Sequence, residues 1–543
     1  MIFVVAAVAV APLTGRAAEC PVAQPHPLTA AQIASMSGHQ AEAESLYRVA
    51  IAKTPGDEEL TAGLVGVLLA EQKIDDAAAT IEAALKKAPQ SPALLTALAE
   101  VEHRQGLPWE EAKTLNAAQV HGVCYAPLHR ALADYFRFTS YYASALGQIR
   151  LAHQLDPYDP LIAREWRATL PREQRIASLK KYLAGANGDA RGVPKAQAEL
   201  ATLESQERNE SGCRLVSPIT KPMDIPFTPI AAPSGALRTW GLEVAVNGRK
   251  SHLAIDTGAS GIYINSSLAK KAKLQPLVRV QESGIGDKGP QAGYLAEADS
   301  IRIGKLEFRN CLVEVSDRRD ITGIDGLIGT NVFSQFLVTL DFPSLKLTLA
   351  PLPAYPEANP GTSPGTSPGA NSAAAAPEKL DTAGGAGSAE NVEPHDRYIA
   401  PEMKDWMQVY RRGHSLIIPG LMNGKKLGLF VIDTGANASV IAPEAAAAVS
   451  KIHNNNGADI LGVAGQVKKV YYASDFAVRF GNLEQKSARI TVFDLSRPSE
   501  SLGTEISGLL GEDTLSVLVV RIDYRDGLMK LEYSPHRGYQ DYR

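Results

Sequence analysis

From Leu28 to Gln206, apolar residues recur at three- and four-residue spacing within Ala-, Leu-, Glu- and Lys-rich stretches such as AEAESLYRVAIAKTP and DDAAATIEAALKKAP. That is the period of amphipathic helices. Pro55 and Pro89 stand 34 residues apart and Pro157 a further 68, or two periods, on, each closing such a stretch. A helical pattern with that period predicts stacked helix pairs, a solenoid over residues 28–206. The unit around Leu115 to Ala126 carries the pattern weakly. After Cys213 short Val, Ile, Leu and Phe runs alternate with Gly and Asn–Gly, which predicts strands joined by hairpins. Two such β-rich segments, 225–352 and 401–537, flank a Pro/Gly/Ala-rich stretch, 353–400, with too few large apolar residues to offset the entropy of ordering. It is expected to be a flexible tether.

The pattern thus predicts several domains, as the length of 543 residues requires. Hydrophobic residues at 45% and charged residues at 21% are ordinary for globular cores. A net charge of −4 without a basic stripe argues against a nucleic-acid partner. The four cysteines, Cys20, Cys124, Cys213 and Cys311, show no metal-ligand spacing, so no metal or other cofactor is expected. Cys213 and Cys311 bracket the first β-rich segment and are candidates for a bridge, although spacing does not settle connectivity; Cys124 is expected to be a buried helical residue. The opening MIFVVAAVAVAPLTGRAA is an apolar run ending in small residues, which predicts a signal peptide over 1–18 and a periplasmic or secreted protein. No later run of 18 apolar residues is present, so no membrane span is expected.

The two β-rich segments repeat one constellation. In the first, Asn247–Gly248 leads into KSHLAIDTGAS, then GIGDKG, GIDGLIG and FLVTLDF; in the second, Asn423–Gly424 leads into KKLGLFVIDTGAN, then LGVAGQ, EISGLLG and VLVVRIDY. Asp256 precedes Gly329 by 73 residues and Asp433 precedes Gly511 by 78, while Gly329 to Asp341 and Gly511 to Asp523 are both 12. One Asp–Thr–Gly would arise by chance roughly 0.1 times in a chain of this size. Two copies with matching surroundings imply two copies of one fold.

Each copy delivers an aspartate at the end of an apolar strand, Leu253 to Ile255 or Leu429 to Ile432, into a turn of small residues. Gly326 and Gly329, and Gly508 and Gly511, enclose apolar pairs where another backbone can approach and brace the turn. Two such carboxyls facing each other would share a proton, because adjacent like charges cannot both ionise. The charged member could then activate a water and the neutral one hydrogen-bond the carbonyl under attack.

These residues resemble the retropepsin-like aspartic proteases of the pepsin and retropepsin clan, with both lobes in one chain. The helical stretch resembles tetratricopeptide repeats through Ala41, Leu46, Tyr47, Ala50 and Pro55, then Ala77, Ile81, Ala84 and Pro89. The resemblance implies a helical solenoid followed by two acid-protease β-barrel lobes, acting as an endopeptidase on a protein or peptide substrate, with a protein partner on the repeats. It assigns catalysis to Asp256 and Asp433, a cross-lobe "fireman's grip" to Thr257 and Thr434, and turn support to Gly258, Ala259, Gly435 and Ala436. Flap hairpins would fall at Gly284, Gly286 and Gly289 and at Gly462 and Gly465. Ala259 and Ala436 offer no hydroxyl to an ionised dyad, so activity is expected at mildly acidic to neutral pH. The competing expectation is a catalytically silent peptide clamp or scaffold on the same fold.

Overall fold

The computed structural model describes residues 20–185, 192–207, 213–216, 219–231, 237–282, 291–317, 323–356, 394–454, 460–462, 465–467 and 469–535. The expected signal peptide, most of the tether and Gly284, Gly286 and Gly289 lie outside them. The chain forms two compact units, one essentially helical and one containing both β-rich segments.

In the helical unit the first helices of successive pairs are Glu58–Ala70, Pro92–Arg104, Ala126–Phe138 and Pro160–Ala168, and the second helices begin at Gln40, Ile74, Pro108 and Tyr142. Their N-caps keep the period without insertion: Asp57, Ser91, Tyr125 and Asp159 for the first helices, His39, Lys73, Leu107 and Tyr141 for the second. The unit that reads as degenerate therefore retains the architecture. Asp57, Ser91 and Asp159 accept N–H groups of the first turn, and Pro92 and Pro160 occupy positions where no donor is needed. Tyr125 makes no side-chain cap, and its hydroxyl instead donates to Glu59 Oε2 at 3.0 Å. Leu64, Leu68, Ile81 and Leu94 are buried between the pairs. Among the described residues no helix is long and apolar enough to cross a membrane.

Cys124 corrects the expectation of a buried helical residue. It lies exposed in the turn between Pro108–His121 and Ala126–Phe138 and is bonded to Cys20. One period after Pro89 the proline is replaced by Val123, so hydrophobic periodicity could not show that a covalent tie stands beside it. Opening this 104-residue loop is expected to cost the helical unit about 2–5 kcal/mol. The check is a thermal melt of Cys20→Ser/Cys124→Ser against the unaltered chain, whose helical transition should fall while that of the lobes stays. A second bridge joins Cys213 to Cys311, fastening the short strand Arg214–Leu215 to Leu306–Ser316.

The β unit holds two lobes of one design. In each, an Asn–Gly hairpin joins the first long strand to the strand that carries the aspartate: Leu237–Val246 to Arg249–Asp256, and Ser415–Met422 to Lys426–Ile432. Asn247 and Asn423 are both left-handed at φ 46, which their short polar side chains tolerate. Asn247 Oδ1 accepts the Ser300 N–H and its amide donates to Ala272 O; Asn423 does the same with the Ala477 N–H and Val449 O. Each turn is thereby tied to a neighbouring helix end and to a strand of its own lobe.

A six-stranded sheet takes three strands from each lobe, in the order Met407–Gln408, Leu528–Tyr533, Leu518–Asp523, Leu337–Asp341, Lys346–Ala350, Met223–Pro226. Its central junction is antiparallel, with Leu337 opposite Asp523 and Asp341 opposite Val519. The two lobes thus pair within one chain, through the terminal strands of the duplicated constellation.

Candidate active site

The aspartates are placed by strand pairing across long sequence separations. Gly326–Gly329 lies parallel to the first aspartate strand, with Ile328 beside Ile255 and Gly329 beside Asp256; Gly508–Leu510 does the same for the second, with Leu510 beside Ile432. The four bracing glycines meet backbone at distances no side chain would allow. A β-carbon would stand 2.2 Å from Tyr263 O at Gly326, 2.4 Å from Ala259 O at Gly329, 2.4 Å from Val440 O at Gly508 and 2.4 Å from the Ala438 carbonyl carbon at Gly511. Glycine is required there by close approach rather than by a left-handed φ.

The two Asp–Thr–Gly turns interlock. Thr257 N–H donates to Thr434 Oγ1 and Thr434 N–H to Thr257 Oγ1, both at 3.0 Å, while each hydroxyl donates to the carbonyl before the opposite aspartate, Ile432 O at 2.7 Å and Ile255 O at 2.9 Å. Both threonines are buried. Thr434→Val keeps the shape but strands the Thr257 N–H and the Ile255 carbonyl. It is expected to cost the lobes about 2–5 kcal/mol, read as the shift of their unfolding transition, with Thr434→Ser close to the unaltered chain.

Asp256 is buried, 9% exposed, and Asp433 is half-buried. Gly258 N–H donates to Asp256 Oδ1 at 2.8 Å; Gly435 and Ala436 N–H donate to Asp433 Oδ1 at 3.0 and 3.2 Å. A methyl at Gly258 would touch both carboxyls, 2.9 Å from Asp433 Oδ1 and 3.2 Å from Asp256 Oδ1, and one at Gly435 would stand 2.5 Å from Asp256 Oδ2. Burial, and then the neighbouring Asp433, pushes the Asp256 carboxyl from 3.8 up to about 8; burial also raises Asp433 against the pull of its two N–H donors. The pair titrates as one unit that holds a proton well above the usual carboxylate range.

Residues 242–332 and 418–514 match the aspartyl protease family, and residues 36–101 match the tetratricopeptide repeat. Each lobe is thus similar to the aspartyl protease family. Among solved structures that match is a retropepsin-like aspartic protease from Rickettsia conorii, 22% identical over 24% of this chain and 89% of that one, with a TM-score of 0.17. No curated protein matches the chain.

In the second of these lobes Gly462 and Gly465 face each other in the hairpin of Ile460–Gly462 and Gly465–Val467. In the first lobe Pro276–Glu282 and Gln291–Ile303 pair up to Glu282 and Gln291, on either side of the residues that hold the other three expected flap glycines. No group of three or more His, Cys, Asp or Glu is placed to hold a metal ion among the described residues.

The structure adds residues that motif reading passed over. Asn331 Oδ1 accepts the Gly261 N–H at 3.0 Å; its counterpart Asp513 accepts the Ser439 N–H at 2.8 Å and the Ser439 hydroxyl at 2.6 Å, and that hydroxyl accepts the Gly511 N–H. Both stand two positions after the closing glycine, a repeat that the sequence displays. Thr330 hydrogen-bonds Tyr524 of the opposite lobe, and at the matching position Glu512, hydrogen-bonded to Thr239, is pushed up to about 7 by burial. His414 Nε2 lies 2.8 Å from Gly258 O.

Proposed function

We propose that the protein is an aspartic endopeptidase in which Asp256 and Asp433 share one proton. The observation that carries this reading is the reciprocal threonine grip, which holds buried Asp256 and half-buried Asp433 against the same pair of glycines. Two acids so placed cannot both ionise, and one acid beside one base is what water addition to a peptide bond needs. The ionised carboxylate takes a proton from a water held between the pair as its oxygen bonds to the peptide carbon. The neutral carboxyl hydrogen-bonds the carbonyl oxygen as charge develops there. Proton transfer to the nitrogen accompanies C–N cleavage, leaving an acid, an amine and a dyad that again holds one proton.

The repeats would recruit a substrate or protein partner. A periplasmic or secreted location is proposed as well, supported by two disulfides, which persist in oxidising compartments. The decisive experiment is cleavage of an unstructured protein such as casein between pH 3 and 8 by the wild type, Asp256→Asn and Asp433→Asn. Cleavage by the wild type alone supports the dyad, while no cleavage by any of them leaves the lobes as a peptide clamp.

A further inference from the structure

The two aspartate turns are related by duplication, yet one of them carries an additional contact. His414 sits in the two-residue turn between Tyr410–Arg412 and Ser415–Met422, where Arg412 pairs with Ser415. Gly413 before it is left-handed at φ 60, the geometry of a tight hairpin that leaves the following residue little freedom. From this second-lobe hairpin the imidazole reaches the first lobe, where its Nε2 is 2.8 Å from Gly258 O. A carbonyl can only accept, so Nε2 carries the proton. The half-buried ring is held below its ordinary pKa, chiefly by burial and to a lesser degree by the nearby charge of Arg411, which keeps it a neutral donor.

Gly258 is thereby held on both sides: its carbonyl accepts from His414 and its N–H donates to Asp256 Oδ1. Glycine has the softest backbone torsions of any residue, so a donor on its carbonyl restricts a turn that would otherwise rotate at small cost. Counted from the aspartates, Gly241 opposite Ala254 corresponds to Ile417 opposite Val431, which places Arg238 at the register of His414. Its guanidinium lies against Gly323, in its own lobe.

We infer that His414 is a positioning residue for the peptidase reaction, fixing the Gly258 peptide and through it the Asp256 carboxyl. The inference rests on the peptidase reading. In the full-length protein, His414→Ala is expected to lower kcat about tenfold, or 1.4 kcal/mol, with KM within about twofold. His414→Gln, which keeps an N–H donor, should recover most of the loss, and the melting temperature of the lobes should be nearly the same in both variants. A purely structural histidine would instead lower activity only in proportion to the unfolded fraction.

The second arm needs no turnover: nitrogen NMR of histidine-labelled protein, with His414 assigned by its loss in His414→Gln, should show the neutral Nε2–H tautomer. A wild type that cuts casein with His414→Ala unchanged in kcat, or an Nδ1–H tautomer, overturns the role of His414 while leaving the dyad standing. A wild type that cuts nothing overturns the peptidase reading and this role with it, whatever the tautomer.

Discussion

Asp256→Asn and Asp433→Asn are each expected to reduce peptide cleavage by roughly 10³-fold or more, since either change removes one half of a paired acid and base. The same variants should be more stable than the wild type at neutral pH. The Asp256 carboxyl is pushed up from 3.8 to about 8 in the fold, so below pH about 4 folded and unfolded chains both hold its proton and the fold carries no penalty. As pH rises from there towards 8 the unfolded chain releases the proton while the folded one keeps it, and stability falls. Asparagine has no proton to lose, so the stability gap between Asp256→Asn and wild type should widen across that interval and then level off. Denaturant titrations at pH 4, 6 and 8 measure it. Activity should follow the one-proton state, persisting through mildly acidic and neutral pH and declining above about 8, where the second proton leaves. An optimum near pH 2 would contradict the assignment.

Gly435→Ala is expected to lower kcat/KM about 100-fold, the scale of a misplacement of reacting groups by about 1 Å. The added methyl would stand 2.5 Å from Asp256 Oδ2 and 2.6 Å from Asp256 Cγ. Those atoms belong to a buried carboxyl held by the Gly258 N–H rather than to the loose end of a flexible chain, so the dyad must open. Gly258→Ala has contacts of 2.9 and 3.0 Å with half-buried Asp433 and should lose less. A kinetic comparison of the two, with thermal melts to confirm folding, tests the ranking; equal activity of Gly435→Ala and wild type would mean that the carboxyls do not sit together in solution.

Much of this was legible one residue at a time. The aspartates, the threonines and the glycine pairs were visible because duplication prints the same local requirement twice: a small turn after an apolar strand, and a bare backbone where another chain segment passes. Asn331 and Asp513 obey the same logic and could have been found by extending the comparison two residues past Gly329 and Gly511. His414 could not, because its counterpart Arg238 is a different residue and the contact crosses from one lobe to the other. Cys124 reads as a helical residue because a disulfide partner 104 residues away leaves no trace in local periodicity.

The helical period, the two β-rich segments and the chemistry each carries follow from local pattern, since propensity, turn geometry and burial act over neighbouring residues. Local pattern is silent on the placement of Gly326–Gly329 beside the first aspartate strand, on the pairing of Leu337–Asp341 with Leu518–Asp523 across the lobes, and on the meeting of the two carboxyls, all of which the folded chain supplies. Those arrangements depend on which strand edges find each other over long separations, and hydrogen bonds between backbones are blind to side-chain identity. The choice is made by the packing of the whole unit.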